Sequence, residues 1–236
     1  MQADPPIELF YWPTPNGFKV TIMLEELKVP YIIKPIDITS GDQYSDEYSS
    51  ISPNNKIPAI VDYSPKDGRE TATIFESGAI LLYLAEKYGR LIPGDRELKS
   101  QCIQWLFWQV GGLGPMGGQA HHFRLYASET IDYAIKRYTN ECQRLYKVLD
   151  SRLYGRDYVA DEYSIADIAC LPWIFRHKRQ GQELHHYPNL HRWYQSLMAR
   201  EPVKKGLGVA ADLRDDSAFT SEKGREILFS GKSRSE

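Results

Sequence analysis

Cysteine is scarce in this 236-residue sequence, and the three present, Cys102, Cys142 and Cys170, are odd in number and far apart. That usage fits neither a disulfide framework nor a CxxC redox or zinc site. Each cysteine falls in a helically patterned segment and reads as a small buried hydrophobe. Long apolar runs are missing too: the longest, GAILLYLA at 78–85, is far too short to cross a bilayer. The opening MQADPPIE is polar and acidic and lacks the basic and apolar regions of a leader, so a soluble cytoplasmic protein is expected. Neither sign of charge dominates. The 29 Lys and Arg against 31 Asp and Glu are spread along the chain, which argues against nucleic acid or a membrane surface as partner. The expected partner is a small molecule or a second copy of the chain.

What is present is two regions of different periodicity. IELFYW (7–12) reads as a short strand, and FKVTIMLEELKV (18–29) switches to helical spacing. YIIKPIDI (31–38) reads as a second strand, followed by a polar stretch of weak helical character at 43–50. PAIVDY (58–63) and TATIF (71–75) are joined by SPKDGRE, whose Pro and Asp-Gly suit a turn, so this pair is expected to form a hairpin. ESGAILLYLAEKYG (76–89) is amphipathic and stops at a glycine, as a capped helix does. The order β-α-β-(α)-β-β-α is that of a thioredoxin-like α+β domain, expected over residues 1–88. GRLIPGDRE has linker composition, placed at 89–97. From 98 to 210 the pattern is helical throughout, over roughly 98–126, 128–154, 164–178 and 188–200, predicting an all-α domain. A charged tail from 211 to 236 is expected to be mobile or to wrap the surface.

Ser164-Ile165-Ala166-Asp167 is a capping-box variant ahead of an apolar run, a folding signal worth about 1 kcal/mol. His121-His122 is no metal pair: adjacent helical residues point about 100° apart and no further ligand stands at suitable spacing. GGLGPMGG (111–118) lacks the Lys-Ser/Thr of a phosphate loop and follows helix rather than strand. Its glycines are read as letting helices, or two subunits, approach closely.

TPNG (14–17), SPNNKIPAIVD (52–62), FESGAILLYLAEK (75–87), QWLFWQVGGLGPMGGQAHHF (104–123) and YSIADIAC (163–170), taken together and in this order, resemble the glutathione transferase family. The resemblance is to its nu class and to fungal relatives akin to the globular part of the yeast nitrogen-regulation prion protein, and it covers about residues 7–205. It implies the glutathione transferase fold, a homodimer, and glutathione as cosubstrate, reduced or as its disulfide. The activity implied is thiol–disulfide exchange.

Glutathione offers two carboxylates, an ammonium, two amides and a thiol. Glu76 and Ser77 open the helix at 76–89, where unpaired N–H groups and the macrodipole favour an anion. Ser77 is expected to hold the γ-glutamyl carboxylate and Glu76 the ammonium. The resemblance further implies a cis Ile57-Pro58 bond, with the Ile57 backbone pairing the cysteinyl residue. Lys56 and Gln43 resemble the groups that take the glycyl carboxylate.

The sulfur end poses the harder question, because no cysteine stands at the end of the first strand. Thr14, Asn16 and Tyr11 are the candidates there, and Tyr11 is expected to pack as a strand aromatic. Thr14 and Asn16 bracket a proline before a helix start, so a hydroxyl, an amide and free N–H groups converge on one anion. A thiol of pKa about 8.5 needs about 1.4 kcal/mol of thiolate preference for each unit of depression. As a turn, the same TPNG lets Pro set φ while Asn-Gly tolerates positive φ and caps the helix. Arg137, in YAIKRY, matches the position from which this branch sends an arginine toward the sulfur. Three readings follow: a glutathione-dependent disulfide oxidoreductase, a transferase conjugating electrophiles, and a non-catalytic glutathione-binding regulatory module. The third is disfavoured because only six residues precede the first strand, too few for the Asn/Gln-rich extension of the yeast relative.

Overall fold

The computed structural model describes residues 7–213 and 215–230. The chain divides into two compact units, one running to Tyr88 and resumed from Lys205 onward, the other spanning Gly89–Lys204.

The first unit is built on four strands: β1 (Ile7–Tyr11), β2 (Ile32–Pro35), β3 (Ala59–Asp62) and β4 (Ala72–Phe75), in the order β2-β1-β3-β4. β1 is parallel to β2 and antiparallel to β3, and β3 is antiparallel to β4, completing the expected hairpin. Its Asp-Gly turn holds Gly68 at φ +85°, where a side chain is unwelcome. Three helices complete the pattern: α1 (Pro15–Leu27), α2 (Asp46–Ile51) and α3 (Ser77–Tyr88). Phe10, Ile36, Tyr48 and Ala59 form a buried cluster that seats α2 under the sheet. Asp62 and Lys87 form a buried ion pair at 2.5 Å, with the Tyr83 hydroxyl donating to the same carboxylate.

α1 begins three residues earlier than periodicity placed it. Thr14 is its N-cap and accepts from the Gly17 N–H, so Asn16 and Gly17 lie in the first turn. Gly17 is therefore required not for positive φ but for space: a Cβ there would overlap the Trp12 carbonyl oxygen. The cap is threonine, as the preference of hydroxyl side chains for that position allows.

The second unit is helical. α4 (Arg96–Trp108) and α5 (Gly114–His121) run on through π-helical turns at Gln109–Leu113 and His122–Tyr126, so the predicted helix of 98–126 is one rod with two wide turns. Gly114 and Gly117 let Trp173 lie against α5, since a Cβ on Gly117 would come within 2.9 Å of that indole. α6 (Asp132–Arg152), α7 (Ile165–Ile174) and α8 (Pro188–Met198) follow. All of α7 is buried, and the capping box at its start is formed as expected.

The chain passes back to the first unit within α9 (Glu201–Gly208), a helix that periodicity did not show. The described part of the tail carries α10 (Glu222–Phe229) and returns to the sheet domain: the Tyr44 hydroxyl donates to the Ile227 carbonyl, and Tyr11 to that of Val209. Gly206 permits the return, because a Cβ there would lie 2.7 Å from the Ile22 backbone.

Candidate functional site

A cavity of about 170 Å³ opens between the first turn of α1, the segment leading into β3, the end of β4 and the start of α3. Six sequence-predicted residues line it: Asn16, Lys56, Ile57, Pro58, Glu76 and Ser77. Ser52, Asn54 and Phe75 complete the wall. Those three stand inside or beside motifs that sequence reading had singled out, but nothing in their type separated them from ordinary loop and strand residues.

Each element delivers its group for a local reason. The peptide bond between Ile57 and Pro58 is cis, and it precedes β3, whose pairing starts at Ala59. Proline is tolerated at that place because no ladder donor is needed there. The Lys56 carbonyl just before it is pinned by two hydroxyls, Tyr48 at 2.7 Å and Ser52 at 2.9 Å. This fixes the backbone of 56–58 while leaving the Lys56 side chain exposed.

Across the cavity, Glu76 sits at φ +68°, a left-handed conformation costly for a residue with a Cβ. Such a residue, held at a cavity wall, is where function is to be sought. Its carboxylate makes a long 3.5 Å contact with Asn54 Nδ2. Ser77 is the first residue of α3, so its N–H is among those with no helical partner. The cavity thus offers a lysine and a helix start to anions, a carboxylate to a cation, and backbone and amide groups between.

At the strand end, Asn16 lines the cavity, while the Thr14 oxygen accepts from Gly17 N–H at a long 3.4 Å as the helix cap. A hydroxyl that accepts still has its hydrogen to donate. Tyr11 is buried in β1, and its hydroxyl is committed to Val209. Gln43 is placed differently from the others. It is buried in a 3-10 turn at 42–44, its amide nitrogen donates to the Ile38 carbonyl at 3.1 Å, and it does not line the cavity. Arg137 belongs to the second unit, exposed on α6 beside Tyr133, Lys136, Asn140 and Arg144, which border an open depression of about 410 Å³. Among the described residues no cluster of ligating side chains suits a metal ion, and no helix is long and apolar enough to cross a membrane.

The cysteines take no part in lining this cavity. All three lie in the second unit, fully buried. Burial raises the Cys102 thiol above its ordinary value and pushes that of Cys142 up to about 12.

Sequence reasoning missed Lys19. It lies on α1 at 1% exposure, and its Nζ donates to Ser77 Oγ at 3.1 Å. The sequence offered only a lysine set between Phe18 and Val20, and it is the structure that buries every residue from Gly17 to Leu24 and so makes a partner for it necessary.

A mixed sheet of order β2-β1-β3-β4 with a cis-proline ahead of β3 makes the first unit a thioredoxin-like domain, here followed by a helical one. The chain belongs to the glutathione S-transferase family: the family's N-terminal domain matches residues 14–87 and its C-terminal domain residues 119–201. It is 50% identical over 214 residues to the disulfide-bond oxidoreductase YfcG of Escherichia coli, covering 89% of this chain and all of the relative. It is 34% identical over 233 residues to the transcriptional regulator URE2 of Saccharomyces cerevisiae, covering 82% of this chain and 65% of that one. A glutathione transferase from Pseudomonas putida, solved with one glutathione disulfide per subunit, superimposes with TM-score 0.84 at 40% identity, covering 89% and 94% of the two chains.

Proposed function

We propose that this protein is a glutathione-dependent disulfide oxidoreductase in which bound glutathione supplies the reactive sulfur. One observation carries the reading: the cavity that gathers Asn16, Lys56, Ile57, Pro58, Glu76 and Ser77 contains no cysteine, while the cysteines of the chain are buried in the other unit. Ser77 and the start of α3 take the γ-glutamyl carboxylate, and Glu76 the ammonium. The Ile57 backbone ahead of Pro58 pairs with the cysteinyl residue, and Lys56 takes the glycyl carboxylate. Gln43 joins Lys56 there if its amide leaves Ile38. Asn16 and the Thr14 hydroxyl face the sulfur and favour the thiolate, and Arg137 supplies a positive charge to the leaving group.

The bound thiolate attacks one sulfur of a disulfide, forming a mixed disulfide and releasing the other half as a thiolate. A second glutathione thiolate attacks the mixed disulfide at the glutathione sulfur, giving glutathione disulfide and freeing the remaining thiolate. Two electrons pass from two glutathione sulfurs to the substrate, and both leaving thiolates take protons from solvent. The named activity of the E. coli relative and the disulfide bound by the P. putida structure support this direction of chemistry. The protein acts as a homodimer in the cytoplasm, a setting that suits a chain with few and buried cysteines.

The test is steady-state kinetics with glutathione and, side by side, a small disulfide and an aromatic halide. The disulfide is expected to turn over faster. Faster conjugation of the halide would assign the chain to the conventional transferases, and turnover of neither would leave a binding module.

A further inference from the structure

Lys19 Nζ and Ser77 Oγ meet at 3.1 Å in a buried contact, with Ser77 on the cavity wall and Lys19 behind it. Chemistry fixes the direction of this bond. An ammonium carries three donors and no lone pair, so Nζ can only give and Oγ can only receive. The single hydrogen of the Ser77 hydroxyl therefore cannot point back at Lys19. Among the described residues it has no protein acceptor, and the cavity that Ser77 lines is where one can arrive.

We propose that Lys19 is a positioning residue that makes Ser77 an obligate donor toward the cavity and thereby selects a carboxylate there. The inference rests on reading the cavity as the glutathione site, and it assigns Lys19 to the γ-glutamyl carboxylate, through Ser77 rather than by touching it. The N-terminus of α3 adds field of the same sign. Because the ammonium is buried, its charge is screened less than that of exposed Lys56. With an uncharged, non-donating side chain at 19, the Ser77 hydroxyl is free to rotate, and the wall accepts hydrogen bonds as readily as it gives them.

The experiment measures calorimetric dissociation constants for the full chain with two ligands: glutathione, and γ-aminobutyryl-cysteinylglycine, which is glutathione without that carboxylate. The wild type is expected to prefer glutathione. Lys19→Met is expected to shrink that preference by about tenfold, and Lys19→Arg, still a donor-only cation, to keep most of it. A Lys19→Met protein that loses affinity for both ligands in parallel, with the ratio intact, overturns the inference, since a merely structural lysine would do that. If Lys19→Met does not fold, Lys19→Gln, which is uncharged and can accept as well as donate, is measured in its place. A shrunken preference supports the inference, and an unchanged ratio overturns it. A wild type that binds neither ligand refutes the reading of the cavity itself, and the inference falls with it.

Discussion

The indole Nε1 of Trp193 donates to Asp167 Oδ1 at 2.8 Å in the core of the second unit, joining α8 to the first turn of α7. The same carboxylate accepts from the backbone of Val159 at 2.9 Å and of Ser164 at 3.1 Å. The Ser164 hydroxyl donates to it as well, at 3.3 Å, so one fully buried side chain satisfies four donors from three residues, which makes the capping box a junction of the helical unit rather than a local cap.

Replacing Asp167 with Ala leaves those donors without partners and is expected to cost about 3–5 kcal/mol. The pH dependence has a definite sign. Burial holds the Asp167 carboxyl up at about 6, above its ordinary value near 4. Between those values the folded protein takes up a proton that the unfolded chain does not, so stability from this group rises as pH falls through about 6 and is lost as pH rises. Asp167→Asn cannot titrate. Its deficit against the wild type, read from urea midpoints, is expected to be larger at pH 4.5 than at pH 7.5. A deficit that shrinks toward acid would show that the carboxyl is not held up by burial.

The capping box within this junction was legible beforehand, and the reason is local; its links to Trp193 and Val159 were not. A hydroxyl, then two apolar residues, then a carboxylate is a helix start wherever it occurs. The hairpin likewise announced itself through Pro and Asp-Gly, and β1 and α1 through their change of period. What stayed hidden depends on tertiary placement. The π-helical turns at 109–113 and 122–126 keep the periodicity of a helix in sequence. Gln43 is polar and sits in a polar loop, yet it is buried with its amide on Ile38. Lys19 drew no reading from the sequence, because its place depends on α1 being buried on every side near its start. Of the site, the motifs placed the residues whose neighbours in sequence are also their neighbours in space.

The chemistry is expected to need none of the protein's own sulfur. Cys102, Cys142 and Cys170 are each fully buried, and burial holds the first two thiols away from the thiolate form. A triple Cys→Ala protein is expected to keep its disulfide turnover at 20 °C within about twofold, while losing about 1 kcal/mol of stability per site from unfilled volume. Loss of activity in a variant that melts cooperatively would sink the borrowed-sulfur reading.

Thr14 and Asn16 separate in what their removal should do. The Thr14 oxygen caps α1, so Thr14→Ala is expected to lower stability by about 1 kcal/mol as well as turnover, and Thr14→Ser to restore both. Asn16 lines the cavity without serving as the cap, so Asn16→Ala is expected to lower kcat/KM about tenfold, near 1.4 kcal/mol, with little effect on melting. Paired melts and kinetics decide it. If neither alanine variant changes turnover tenfold, the sulfur does not lie between these residues.

Glu76 holds its carboxylate at the cavity from a backbone at φ +68°, so binding and stability should pull apart there. Glu76→Gln removes the charge and keeps the side chain, so glutathione affinity is expected to fall about tenfold while the melting temperature of the ligand-free protein holds. Glu76→Gly removes the charge together with the Cβ that makes this conformation costly. It is expected to bind as weakly as the Gln variant, yet to be as stable as the wild type or more so, by up to about 1 kcal/mol. Calorimetric affinities and ligand-free melts of the two variants check this together. A Gly variant clearly less stable than the Gln variant would mean that contacts of the side chain, and not its ligand, hold residue 76 in place.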